Sequence, residues 1–422
     1  MKIDIDQQRL NGEIDALAAF SDAEAPAVTR VVFSEQDLRA RAWLKERFAE
    51  AGLAVREDAV GNTFARWQGT NLDLPAVATG SHVDAIPHAG KYDGVVGVLG
   101  GLEAIRALQR AGFRPDRSIE LIMFTSEEPT RFGLGCLGSR LMSGILKPFA
   151  AAALRDAEGQ TLDTVRQQAG FHGSLESVRV APGTYSGFVE LHIEQGPILD
   201  QQKREQEKVP LGLVTHIAAP ASSQITIEGE GGHAGARLMP GRRDALCAAS
   251  EIILAVEQAA LSTGAIDTVG TVGICRVHPG AVNSIPCRVQ LSLDVRDTDA
   301  ARRDRVQAEI EAAVREIGKR RGVSVNIEVI NSDPPAESSP EILTALTTAC
   351  EAEGIAYRRM VSRAYHDSSF MSRIAPIAML FIPCRGGVSH RADEYSSPEE
   401  IGQGVRVLAR TLAILAGGGQ PV

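Results

Sequence analysis

Four apolar runs in this chain end in the same way, and that ending restricts the folds open to it more than any other feature. Residues 74–84, LPAVATGSHVD, run as a buried strand into a serine, a histidine and an aspartate. Residues 118–128, SIELIMFTSEE, finish on two glutamates, and residues 187–196, GFVELHIEQG, on a second polar cluster. Residues 376–384, PIAMLFIPC, lead directly into RGGVSH. After the first run comes VVGVLGGLEAIRALQRAG (95–112), whose apolar spacing is helical and whose AGF ending is a stop signal. Strands alternating with helices predict an α/β fold, a mixed sheet with helices on both faces. Polar residues just past strand C-termini mark the edge where open α/β sheets place their sites.

The middle of the chain has a different rhythm. LGLVTHIAA (211–219), SSQITIEGEG (222–231), TVGTVGICRV (268–277) and CRVQLSLDVRD (287–297) alternate with period two, as half-buried strands do. Helical patterns at 242–262 and 301–321 separate them. That order predicts a two-layer α+β domain inserted at 212–328, with 1–211 and 329–422 forming the larger α/β domain. The Pro- and Ser-rich NSDPPAESSP (331–340) reads as the return linker. A length of 422 residues agrees with two or three domains.

Composition removes several function classes. A net charge of −9 argues against a nucleic-acid or anionic-membrane partner. The start, MKIDIDQQRL, has no apolar signal-peptide core, and the longest apolar run, 374–384, is too short and proline-broken to span a bilayer. Six cysteines without a CxxC pair make neither a disulfide scaffold nor a zinc ribbon. A cytoplasmic protein with reduced thiols is expected.

The chemistry-bearing residues collect at the predicted strand ends: His82 and Asp84 in GSHVD, Asp93 in KYDG, Glu127 and Glu128 in TSEEP, His192 in ELHIEQG, and His390 in GGVSHRADEY. Carboxylates plus histidines suit borderline divalent ions such as Zn²⁺ or Mn²⁺. One aspartate can bridge two ions about 3.5–4 Å apart, the spacing of two-metal hydrolytic sites. In an adjacent glutamate pair beyond a strand, one side chain can ligate while the other faces the attacking water, which supplies a ligand and a general base.

A wider set of motifs resembles the hydantoinase/carbamoylase family of the aminoacylase-like metallopeptidase superfamily. They are TGSHVDAIPHAGKYDGVVGVLGGLEA, FTSEEPTRFGLGCLGSRLMSG, ELHIEQGPILD, GEGGHAGARLMPGRRDA, HPGAVNSIPCRVQLSLDVRD and SRAYHDSSFMSRIAPIAMLFIPCRGGVSHRADEYSSPEEI, and they span about residues 30 to 415. The resemblance implies a dimetal exopeptidase-like catalytic domain with an inserted lid and dimerisation domain. It implies two divalent ions per subunit, Mn²⁺ or Zn²⁺ with Co²⁺ or Ni²⁺ as alternatives. His82 and His192 would hold one ion, Glu128 and His390 the other, and Asp93 would bridge them. Asp84 would orient His82, and Glu127 would be the general base. His233 in GGHAG matches the lid histidine that polarises the scissile carbonyl in the partner subunit's site, so a homodimer is implied. Asn283 and Arg296 match substrate-binding positions, with Arg suited to a carboxylate. Gln195 would bind the ureido group, Gly386, Gly387 and Ser389 would lie near the substrate carboxylate, and His366 would lie near the substrate.

Three segments depart from the commoner family pattern: TSEEPTRF, SRAYHDS and GHAGARLMPGRRD. They are similar to the branch that cleaves ureidoglycolate, where the Tyr365 hydroxyl would bond the substrate's extra hydroxyl. The expected reaction is hydrolysis of a ureido C–N bond in a small anionic acid, releasing ammonia and carbon dioxide. Allantoate and N-carbamoyl-L-amino acids are the alternative substrates. A dipeptidase or deacylase, or a non-catalytic protein on the same fold, is disfavoured by HIEQGP, GGHAG and the complete ligand set.

Overall fold

The computed structural model describes residues 1–204 and 209–418. It divides into two compact units, the larger Met1–Thr215, Glu337–Met360 and His366–Val422, the smaller His216–Ala336 and Val361–Tyr365. Val361–Tyr365 therefore clusters with the smaller unit, although it lies within the stretch expected in the larger domain.

The larger unit is built on a nine-stranded mixed sheet. Strands Ile377–Ile382, Tyr185–Ile193, Ala76–His82 and Ile119–Phe124 are consecutive parallel neighbours. Every residue of Ala76–His82, Ile119–Phe124 and Ile377–Ile382 is buried. Parallel strands covered on both faces read as unbroken apolar runs, which is why the sequence exposes them so clearly. Antiparallel strands Thr63–Trp67 and Ala54–Glu57 extend one side. Helix Val95–Arg110 is buried nearly all round, and helix Pro398–Ala416 begins with a Ser397–Glu400 capping box.

Strand Leu211–Ile217 corrects one expectation. It pairs antiparallel with Ile377–Ile382 in the large sheet, not with the strands of the inserted domain. The smaller unit is instead a four-stranded sheet in the order Val269–His278, Arg288–Asp297, Ala219–Glu228, Ser324–Ser332. Helices Ala245–Ser262 and Ala300–Arg321 cover it, burying Ala248, Ile252, Val256, Val306 and Val314 against Ile225, Ile227, Leu291 and Leu293. The sequence is thus strand, helix, strand, strand, helix, strand. Helix Ala245–Ser262 is long and apolar enough to cross a membrane by composition, with mean hydropathy 1.4. Its apolar face is what the sheet requires. Leu254 and Leu261 remain 64% and 70% exposed, a point relevant to assembly below.

Candidate metal centre

Because the four central strands are parallel, their C-terminal ends share one sheet edge. His82 ends its strand opposite Phe124, and His192 lies opposite Phe381 one residue before its strand ends. Glu127 and Glu128 follow Phe124 in a turn where Ser126 has φ 57°. Asp93 precedes helix Val95–Arg110, and Gly94 between them has φ 65°. A Cβ at Gly94 would stand 2.5 Å from the His82 ring, so only glycine fits.

Asp93 is the hub. Its Oδ1 lies 3.2 Å from His192 Nε2 and 3.6 Å from His82 Nε2, while Oδ2 lies 3.2 Å from His390 Nε2. His390 Nε2 is also 3.4 Å from Glu128 Oε1. Of three candidate metal-binding clusters, His82–Asp93–His192 and Asp93–Glu128–His390 share the aspartate, and the third, Glu190–His192–His366, lies behind His192. The donor atoms are prepared for cations. His82 Nδ1 is 3.0 Å from the Asp84 carbonyl and His192 Nδ1 is 2.9 Å from the Ile193 carbonyl. Each Nδ1–H is thereby spent on a backbone acceptor, which leaves the Nε2 lone pair facing the cluster. Gly94 N–H points at His192 Nε2 from 3.2 Å, a contact that nitrogen can accept once it is deprotonated.

The charges point the same way. Asp84, Asp93 and Glu128 are buried, and Glu127 is largely so. Burial and the neighbouring Glu128 push Glu127 well above the usual carboxylate range. Burial and Asp93 push Glu128 up to about 7. Burial disfavours the charge on Asp93 too, but in the ion-free protein bonds from the protonated rings of His192, His390 and His82 outweigh it and hold Asp93 well below its usual range. His390 is raised to about 9 chiefly by its bond to Asp93. So much negative charge in so little water calls for cations, and the donor set fits a pair of divalent ions.

Below about pH 9 the ion-free His390 holds a proton, and Glu128 holds one below about pH 7. Ligation requires both groups deprotonated, so affinity rises with pH and binding releases protons. Calorimetric Mn²⁺ titrations at pH 7 in buffers of different ionisation heat should show release of about one proton or more per chain. A binding heat independent of the buffer would contradict this.

Several expected roles are altered by the geometry. Asp84 meets His82 twice, through its carbonyl at 3.0 Å and its carboxylate at 3.7 Å from Nδ1. The carboxylate also accepts from the backbone N–H groups of Glu127 at 3.2 Å and Glu128 at 3.0 Å, fixing the glutamate turn. The N–H of Gly386 donates to Asp200 Oδ2 at 2.9 Å and that of Gly387 to the Cys384 carbonyl at 2.8 Å. Each amide has one hydrogen, so neither is left for a substrate carboxylate. Ser389 Oγ lies 3.0 Å from Asp93 Oδ2 and 2.9 Å from Glu394 Oε2. Gln195 Nε2 donates to Asp93 Oδ2 at 2.7 Å, whereas its buried Oε1 has no partner. The His366 ring stands 4.6 Å from the His192 ring, edge to face.

Within the smaller unit, His233 is exposed on the two-residue strand Gly232–His233, paired with Ser284–Ile285. Its Nδ1 accepts from Gly235 and Ala236 N–H at 3.2 and 3.1 Å, so in the neutral ring the proton sits on Nε2. The Asn283 carbonyl accepts from Ala234 N–H at 2.8 Å, which keeps these two residues together. Arg296 Nε donates to Asp294 Oδ1 at 2.7 Å. The Tyr365 hydroxyl donates to Asp333 Oδ2 at 2.7 Å, so toward a substrate hydroxyl it can act only as an acceptor.

Sequence reasoning missed the buried carboxylates behind the ligands. Glu394 accepts from the N–H groups of Tyr92 and Asp93. Glu190 accepts from Ser81 and Ser368. Asp367 accepts from Ser139. Their only advance signal was an acidic residue within a few positions of a recognised histidine.

A parallel-sheet edge carrying paired carboxylate–histidine clusters around one shared aspartate defines a hydrolase of the metal-dependent amidohydrolase class. Residues 78–414 match peptidase family M20/M25/M40. The chain belongs to that family and, within it, to the hydantoinase/carbamoylase branch. It is 52% identical over 418 residues to a ureidoglycolate hydrolase of Oryza sativa subsp. japonica, covering 98% of this chain and 85% of that protein. It is 39% identical to an N-carbamoyl-L-amino acid amidohydrolase of Geobacillus stearothermophilus, covering 98% and 100%. The crystal structure of AtUAH in complex with glyoxylate matches with TM-score 0.90 and 50% identity, covering 98% of each chain.

Proposed function

We propose that this amidohydrolase cleaves the ureido C–N bond of ureidoglycolate, releasing ammonia and carbon dioxide. The observation that carries the ureido assignment is Gln195. Its Nε2 is anchored on Asp93, and its buried, unpartnered Oε1 offers an acceptor for a substrate N–H beside the ligand cluster. Ureidoglycolate is preferred over N-carbamoyl amino acids because the identity is 52% to a ureidoglycolate hydrolase against 39% to a carbamoylase.

His82, His192 and Asp93 would hold one ion, and Asp93, Glu128 and His390 the other, Mn²⁺ or Zn²⁺ by their mixed carboxylate and imidazole donors. When bound, two such ions polarise the scissile carbonyl and acidify the attacking water. Glu127, with its raised proton affinity, accepts the proton of the water and passes it to the leaving nitrogen. Cys136 Sγ donates to Glu127 Oε1 at 3.4 Å and steadies it. In or near a partner subunit's site, Asn283 and Arg296 would meet the substrate's carboxylate, Arg296 with the N–H donors that Asp294 leaves free. Six free cysteines support the cytoplasmic setting.

The His233 Nε2–H donates to the developing oxyanion of a partner subunit's site. A homodimer through the smaller unit is supported by its exposed apolar residues Leu254, Leu261, Ile274 and Val282 and by the open edge of strand Val269–His278. His233→Ala should lower kcat about 10²–10³-fold with ion content unchanged. Mixed with Glu127→Gln, it should recover about a quarter of parental activity, because each heterodimer holds one intact site. No recovery after subunit exchange would place His233 in its own chain's site.

The function is tested by ammonia release from ureidoglycolate, allantoate, several N-carbamoyl amino acids and dipeptides, with Mn²⁺, Zn²⁺, Co²⁺ or chelator. Metal-dependent turnover greatest on ureidoglycolate is expected. Preference for an N-carbamoyl amino acid would overturn the substrate. Absence of turnover on every ureido compound would overturn the reaction.

A further inference from the structure

We propose that Glu394 is a positioning residue that locks Asp93 to the His390 loop and so sets the affinity of the second metal ion. The proposal rests on the two-ion reading above, which the unsubstituted protein's own titration tests separately.

Glu394 is 4% exposed and lies four residues beyond His390. Its Oε1 accepts from the backbone N–H of Tyr92 at 3.0 Å and of Asp93 at 3.1 Å. Its Oε2 lies 2.9 Å from Ser389 Oγ, and that oxygen lies 3.0 Å from Asp93 Oδ2. The contacts close a ring, from Asp93 N–H to Glu394, to Ser389, to the Asp93 carboxylate, with the single Ser389 hydroxyl hydrogen serving one of the two carboxylates at a time. One glutamate thus holds the backbone of the shared aspartate directly and its side chain through Ser389. These two loops are about 300 residues apart in the chain, and the ring fastens them alongside the edge-to-face contact of Tyr92 with Tyr395. Room for it is reserved, since a Cβ on Gly90 would stand 2.4 Å from Glu394 Cβ and 2.5 Å from Oε1.

The ring acts on one side of the centre. It engages Asp93 Oδ2, the oxygen facing His390, and Ser389 immediately precedes that ligand. Asp93 Oδ1 faces His82 and His192, which are fixed by their own carbonyl contacts. Loss of Glu394 should therefore weaken the ion held by Asp93, Glu128 and His390 far more than the other. Partners behind the ligands change metal affinity about 10–100-fold in comparable sites.

The test is stepwise Mn²⁺ calorimetry on the chelator-stripped full chain, with ion-free melting temperature measured alongside. Glu394→Ala should weaken the second binding step at least about 10-fold and leave the first within about threefold. Glu394→Gln should keep both steps within about threefold, because its carbonyl still accepts the two amides and its NH₂ can donate to Ser389 Oγ. Gly90→Ala, which displaces the carboxylate without removing it, should reproduce the Glu394→Ala split and decides the matter if the first variant does not fold. Two undisturbed steps in Glu394→Ala and Gly90→Ala overturn the proposal. So does equal weakening of both steps, the mark of a merely structural role, or a Gln variant as weak as the Ala variant. If the unsubstituted chain binds fewer than two ions, the two-ion reading itself fails.

Discussion

Glu127→Gln is expected to lower ureidoglycolate turnover about 10²–10⁴-fold, the range a general base supplies, while leaving two ions per chain. The substitution keeps the shape of the side chain and removes only its capacity to take a proton. Glu127 stands 3.7 Å from His82 Nε2 but belongs to none of the candidate ligand clusters. The turn that presents it survives, because Asp84 holds it through the backbone N–H groups of Glu127 and Glu128. KM should therefore change little while kcat collapses, the pattern of a group that acts in the transition state. Elemental analysis and steady-state kinetics on one sample check both parts. Retained turnover would remove Glu127 from the base role, and loss of an ion would make it a ligand.

Asp93→Asn should be as damaging by a different route. The carboxylate turns one oxygen toward His82 and His192 and the other toward His390. Asparagine keeps the size but has one carbonyl oxygen, and its NH₂ donates where a cation needs a donor of electrons. At most one ion should remain, and weakly. Losing several kcal/mol of charge stabilisation corresponds to an activity loss of about 10³-fold or more. Thermal melting adds a second readout, since an ion that binds only the folded chain raises the melting temperature. The parent should gain stability on Mn²⁺ addition and Asp93→Asn should gain much less. An equal gain in both would show that Asp93 does not bridge.

The sequence disclosed these residues because the central strands are parallel and buried. Unbroken apolar runs marked Ala76–His82, Ile119–Phe124, Tyr185–Ile193 and Ile377–Ile382, and polar residues at their ends marked the edge. Leu211–Ile217 was misplaced because period-two alternation shows that a segment is a strand but not which sheet takes it. The helix expected from 242 starts at Ala245, since the Asp244 side chain caps the N–H groups of Leu246 and Cys247 and so stands outside it. At the site, histidines and paired glutamates were legible by type. What each polar atom touches was not. Tyr365 meets Asp333 across 32 residues, and Gly386 meets Asp200 across 186, through bonds that no local pattern announces. Glu394 escaped notice because RADEY reads as a solvated charged turn, whereas folding buries its carboxylate against the Asp93 backbone.

Reconstitution separates a two-ion centre that hydrolyses a ureido bond from every other assignment of this site. The full chain is stripped with chelator, Mn²⁺ is returned in measured equivalents, and ammonia release from ureidoglycolate is followed at each step. Negligible release is expected from the stripped protein, followed by a rise that levels off at two ions per chain. Full ammonia release by the stripped protein, or a plateau reached at a single ion, would contradict a two-ion centre.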